Sequence, residues 1–163
     1  MPEPNLLMEN RHLIDLIKTI PIFEPFTEQE LNNLLKMSKI TQYRTEDCII
    51  KEGTSDTRVY FIISGQVSIT KKGKKVALLQ RKGDLFGEMG AINSSFRSAS
   101  AHAVVKTVCL ATDIFYSKTL SGNDKTAFGY VLYRIFSEIL AHRLRITTNA
   151  LLKAQGKINL KFW

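Results

Sequence analysis

The sequence predicts a mainly β domain, a jelly-roll barrel with helices at both ends. Three observations lead there. Between residues 40 and 115 the short runs ITQYR, CIIKEG, VYFIISG, QVSIT, KVALLQ, AHAVVK and TVCLAT follow one another, with turn residues between them. On both sides of that stretch apolar residues recur at helical steps instead. The chain has 163 residues, 44% of them hydrophobic and 23% charged, which suits one soluble domain spanning 1–163.

The N-terminal helical segment is expected over 8–36. Residues 8–19 carry the apolar stripe Leu13, Ile14, Leu16 and Ile17, continued by Ile20, and Pro21 ends the helix because it has no N–H to donate. In FEPFTEQELNNLL, Thr27 followed three residues later by Glu30 fits a capping box, with Leu31, Leu34 and Leu35 turned inward. The barrel occupies 40–115, punctuated by Gly53, Gly65, Gly73 and Gly83. Closing such a sheet removes exposed edges. Cys48 and Cys109 sit in β-like runs and read as buried small hydrophobes. From 124 to 155 there is no proline, and Phe128, Leu132, Ile135, Phe136, Ile139 and Leu140 recur at three- and four-residue steps, extended by Leu144, Thr147, Leu151 and Leu152. Gly156 is the expected stop. Such a helix runs to about 40 Å. It either lies wholly on its own barrel or, as favoured here, leaves part of its apolar face to a second copy, giving a homodimer through the C-terminal helix.

Composition excludes several classes. No run of about 18 apolar residues occurs, so no transmembrane helix and no membrane partner are expected. The mixed-charge N-terminus lacks the pattern of a signal peptide, which points to the cytoplasm. His12, His102 and His142 stand apart, with no HxH, HExxH or CxxC, so neither a metal nor an enzyme is expected. Metal-dependent cupin chemistry would need a histidine and glutamate cluster, and His102 lies between two alanines. The net charge of +8 fits nucleic acid or an anionic surface. Much of it is local, in KKGKK at 71–75 and in Arg81 and Lys82, and the first reads as a hairpin tip with solvated lysines. A nucleic-acid-binding transcriptional regulator rests on that charge alone.

Chemistry concentrates in FGEMGAINSSFRSASA, residues 86–101. Gly87 lets backbone approach a ligand, and a short helix opening near Glu88 turns free N–H groups toward an anion. Arg97 offers a planar, permanently charged fork for two phosphate oxygens, and Ser98 a hydroxyl. Ala99 is small enough for its N–H to be approached. Glu88 repels phosphate but accepts well from a sugar hydroxyl. A phosphorylated ribose satisfies all of these; taken alone, Glu88 and Arg97 would more simply bridge each other.

The stretch resembles the phosphate-binding cassette of the cyclic-nucleotide-binding domain family: Phe-Gly-Glu, two small or apolar residues, a variable loop, then Arg-Ser/Thr/Ala-Ala. Phe86-Gly87-Glu88-Met89-Gly90 and Arg97-Ser98-Ala99 match it. IIKEGTSDTRVYFIISGQVSI is similar to the family's early strands, and the likeness extends over about residues 20–155. It implies a cassette at 86–99 in which Arg97 binds the cyclic phosphate and Glu88 the ribose 2′-hydroxyl, helped by Gly87, Met89, Ser98 and Ala99. LAHRLRITTNAL resembles the dimer helix of the bacterial catabolite activators, where a hydroxyl pair, one of it from the other subunit, reads adenine; Thr147 and Thr148 match that pair. After Lys153 only AQGKINLKFW remains, too short for a DNA-recognition motif, so a stand-alone sensor without a DNA-binding domain is expected. The ligand expected is cAMP, with cGMP possible, signalled to a downstream protein by movement of the C-terminal helix. A regulator of the same fold sensing another ligand is the alternative.

Overall fold

A computed structural model describes residues 6–93, 95–114 and 121–156. Two helices lead in, α1 (Leu6–Lys18) and α2 (Glu28–Lys36), joined by a short 3-10 turn at Pro21–Phe23. The capping box forms: Glu30 N–H donates to Thr27 Oγ1 at 3.3 Å and Thr27 N–H to the Glu30 carboxylate at 2.8 Å. The strands are β1 (Ser38–Tyr43), β2 (Cys48–Ile50), β3 (Arg58–Ser64), β4 (Val67–Lys71), β5 (Lys74–Leu79), β6 (Leu85–Phe86), β7 (Ser100–Ala103) and β8 (Thr107–Asp113). A five-residue helix, α3 (Glu88–Ile92), interrupts them, and α4 (Gly122–Ala154) closes the described chain. The strands thus span 38–113 and the long helix 122–154, against expected bounds of 40–115 and 124–155.

The strands form two antiparallel four-stranded sheets, ordered β1-β8-β3-β6 and β2-β7-β4-β5. The first is covered on both faces. Val59, Phe61 and Leu110 point to the helices, where they meet Ile17, Phe23, Leu31, Leu34, Phe128 and Ile135. Tyr60, Ile62, Cys109 and Ala111 point into the barrel, against Ile50, Val67, Phe86 and Ala101. This is why VYFII is apolar without alternation: a strand buried on both sides has no polar face to offer. Each fully buried Phe or Leu contributes roughly 1.5–3 kcal/mol.

One reading changes. Cys109 is buried, but Cys48 is exposed on β2, so it is no core residue. The α4 stripe also divides. Phe128, Val131, Leu132, Ile135 and Phe136 are buried, whereas Leu144 and Leu151 are more than half exposed. The second half of α4 thus runs past the body that buries the first, and the helix does not lie wholly on its own barrel.

Candidate functional site

Between the barrel and α4 lies a cavity of about 440 Å³. Gly87, Glu88, Met89, Arg97, Ser98, Ala99 and Thr147 all line it, so seven of the eight residues singled out from sequence converge there. Thr148 does not. Successive helical residues point about 100° apart, so one chain turns only one of the two threonines inward.

The cassette is fixed by its backbone. Gly87 precedes α3 with φ 87, in the left-handed region that disfavours side chains, and a Cβ there would sit 3.0 Å from Arg97 Nη1. Phe86 stacks on Tyr60 with ring centroids 5.1 Å apart. The return of the loop is tied to the β2–β3 connection: Gly53 N–H donates to the Arg97 carbonyl at 2.9 Å, and Arg97 N–H to that of Thr54 at 2.8 Å.

Glu88 and Arg97 are both buried, 3% exposed each, and each pairs with a different residue. Arg97 donates to the Gly87 carbonyl at 2.6 Å and the Arg58 carbonyl at 2.5 Å, with Asp56 Oδ2 at 3.3 Å. Glu88 Oε1 receives Arg143 of α4 at 2.8 Å, and Arg143 also donates to the Leu85 carbonyl. The simple Glu88–Arg97 bridge is therefore not what holds the loop. Burial pushes the Asp56 carboxyl up, but hydrogen bonds and charge from Arg58, with the charge of Arg97, outweigh it and hold the group below its usual range.

One atom is left over. Arg97 Nε is buried and has no hydrogen-bond partner in the described structure. An unmet buried donor of this kind costs about 1–3 kcal/mol or more on a charged group. Arg97 lines the cavity, and its permanent charge with one donor unspent suits an anion there, so the residues fit a phosphate. The cavity's other wall is apolar: Ile69, Val76, Ala77, Leu78 and Leu79, faced by Ile146.

Sequence reasoning missed Asp56, Arg143 and this wall. Arg143 was legible in principle, standing one turn before Thr147 on the same helical face. The link of Asp56 to the cassette had no local signal, since Arg97 lies 41 residues on. The apolar wall read simply as strand.

The family model described as Cyclic nucleotide-binding domain matches residues 40–114. The chain is 35% identical over 105 residues to a cAMP-dependent protein kinase regulatory subunit of Debaryomyces hansenii, covering 63% of this chain and 23% of that protein. It is 37% identical over 93 residues to a cGMP-dependent protein kinase of Plasmodium berghei, covering 57% and 11%. The chain thus spans less than a quarter of either relative's length. Among solved structures, the Thermus thermophilus catabolite activator protein is 28% identical with a TM-score of 0.64, covering 83% of this chain and 63% of that one. A cyclic nucleotide-binding domain from Methylobacillus flagellatus shares the fold, with a TM-score of 0.75 at 21% identity, over 90% of this chain and 84% of that one.

Proposed function

We propose that this chain, which belongs through residues 40–114 to the cyclic nucleotide-binding domain family, is a regulatory sensor that binds a cyclic nucleotide and transmits its occupancy through α4. The observation that carries this reading is the Glu88–Arg143 pair, which joins the cassette to the long helix at 2.8 Å. In this reading Arg97 holds the cyclic phosphate, with its unmet Nε and the close approach allowed by Gly87 in support. Glu88 takes the ribose hydroxyl, while Met89, Ser98 and Ala99 line the same cradle. A sugar on Glu88 shares its carboxylate with Arg143, so ligand and helix position become linked. The ligand then biases two helix arrangements by the difference in its contacts with them.

We assign cAMP before cGMP. The base end is apolar, and guanine carries more polar groups that would be left unpaired there. Thr147 reaches the base from its own chain. Thr148 would come from a second copy paired along Leu144, Thr148 and Leu151, a four- and three-residue spacing suited to a helical pair. Calorimetric titration with cAMP and cGMP, repeated on Arg97→Ala, tests the reading. Binding by the parent that the folded variant loses is the expected result. No binding of either nucleotide by the parent, or equal binding by the variant, would refute it.

A further inference from the structure

We propose that the face formed by the β4–β5 hairpin and the exposed half of α4 docks on an anionic lipid bilayer. The starting observation is a segregation of charge. Of the chain's 23 lysines and arginines, seven fall between residues 57 and 83 and five between 139 and 163, and neither stretch contains an aspartate or glutamate. All 15 carboxylates are set against the other eleven cations, so the rest of the chain is net negative by four. The whole positive excess therefore comes from two stretches far apart in sequence.

The fold brings these stretches together. β5 contributes Val76, Ala77, Leu78 and Leu79 to the cavity wall, and α4 contributes Arg143, Ile146 and Thr147 to the same cavity. Hairpin and helix thus flank one opening. Lys71, Lys72, Lys74 and Lys75 at the hairpin tip are exposed, and so are Arg81, Lys82, Arg145 and Lys153. One carboxylate reaches the tip: Glu52 accepts the Lys72 backbone N–H at 2.9 Å. No ion pair among the described residues holds the four tip lysines.

Among the described residues of hairpin and helix, the exposed large apolar side chains that line this opening are all aliphatic: Val76, Leu78 and Ile146. Cations interleaved with aliphatic side chains suit the boundary between headgroups and acyl chains. Nucleic-acid bases ask instead for stacking faces, and the described part of this surface exposes no aromatic ring. The sequence led us to expect no membrane partner because no segment spans a bilayer, and no described helix is long and apolar enough to do so. Lying on a surface needs no span.

The test is co-sedimentation with vesicles of phosphatidylserine and phosphatidylcholine in equal parts, against phosphatidylcholine alone. The full chain is expected to sediment with the first and not the second. Binding should fall as salt rises from about 0.1 M to about 1 M, where screening shortens from about 10 Å to about 3 Å. Replacing Lys71, Lys72, Lys74 and Lys75 together by Gln should weaken it about fivefold per lysine, several hundredfold in all. A titration of the same variant with cAMP separates this proposal from the nucleotide reading, since none of the four lysines lines the cavity. Equal sedimentation with both vesicle types would overturn the proposal. So would a folded variant that sediments like the parent, or a parent that binds duplex DNA or polyglutamate but no vesicle.

Discussion

At one end of the cavity Arg97 is held by two carbonyls and a carboxylate within 3.3 Å, and Glu88 by an arginine at 2.8 Å. At the other end Val76 is 60% exposed, Ile146 is 55% exposed, and Thr147 offers a hydroxyl from a helix with no buried residue near it. The first end is pre-organised, with its charges placed before any ligand arrives, so little ordering is paid for on binding. The second is an open apolar wall, which gives affinity by area and little discrimination by hydrogen bonding. The difference teaches that phosphate and sugar should set whether a ligand binds, and the base only how well.

The largest test of this contrast is Arg97→Ala. Losing a charged fork on phosphate removes hydrogen bonds of about 1.5–3 kcal/mol each, so nucleotide affinity should fall at least about a hundredfold by calorimetry. Thermal melting of the same variant, and of Arg97→Lys, separates lost binding from lost folding. The lysine variant keeps the charge without the fork and should fall between the two. Next comes Glu88→Gln. It should weaken cAMP about ten- to a hundredfold while changing 2′-deoxy-cAMP much less, because only the ribose presents the hydroxyl. Equal losses for both sugars would remove Glu88 from the sugar. Smaller still is Thr147→Val, expected to cost about 1 kcal/mol or less and to alter the cAMP to cGMP ratio rather than binding of both. A hundredfold loss there would reverse the ranking of the two ends.

The pH dependence sharpens the pre-organised end. Asp56 has its folded carboxyl held below the unfolded value. Its contribution to stability is complete above the unfolded pKa of about 4 and disappears as pH falls through the lowered folded value. Melting temperatures measured downward from about pH 6 should therefore drop more steeply in the parent than in Asp56→Asn. Parallel curves would show that Asp56 draws no stability from its contacts with Arg58 and Arg97.

The same contrast decides what could be read from sequence. The cassette was legible as a unit because it is local: Gly87, Glu88, Arg97 and Ala99 fall within thirteen residues, and all four line the one cavity. The barrel was legible too, from short β-rich runs and from glycines such as Gly83, where a Cβ would lie 2.5 Å from Ile20. The pairings of Asp56 with Arg97 and of Arg143 with Glu88 were not, because ion pairs across 41 and 55 residues leave no trace in spacing. Cys48 was misread since β2 is an edge strand of its sheet, and an edge exposes what the same composition buries in a central strand. The split in α4 has a further cause: the sequence carries one continuous stripe, while the body beneath it ends near Phe136.

The proposed sensing rests on the tie between site and helix. Amide hydrogen exchange along residues 139–154, with and without saturating cAMP, in the parent and in Arg143→Ala, tests it most directly. The expected result is a change in protection of this segment in the parent, and its loss in a variant that still binds the nucleotide. Unchanged exchange in the parent at saturation, or the same change in both proteins, would contradict it.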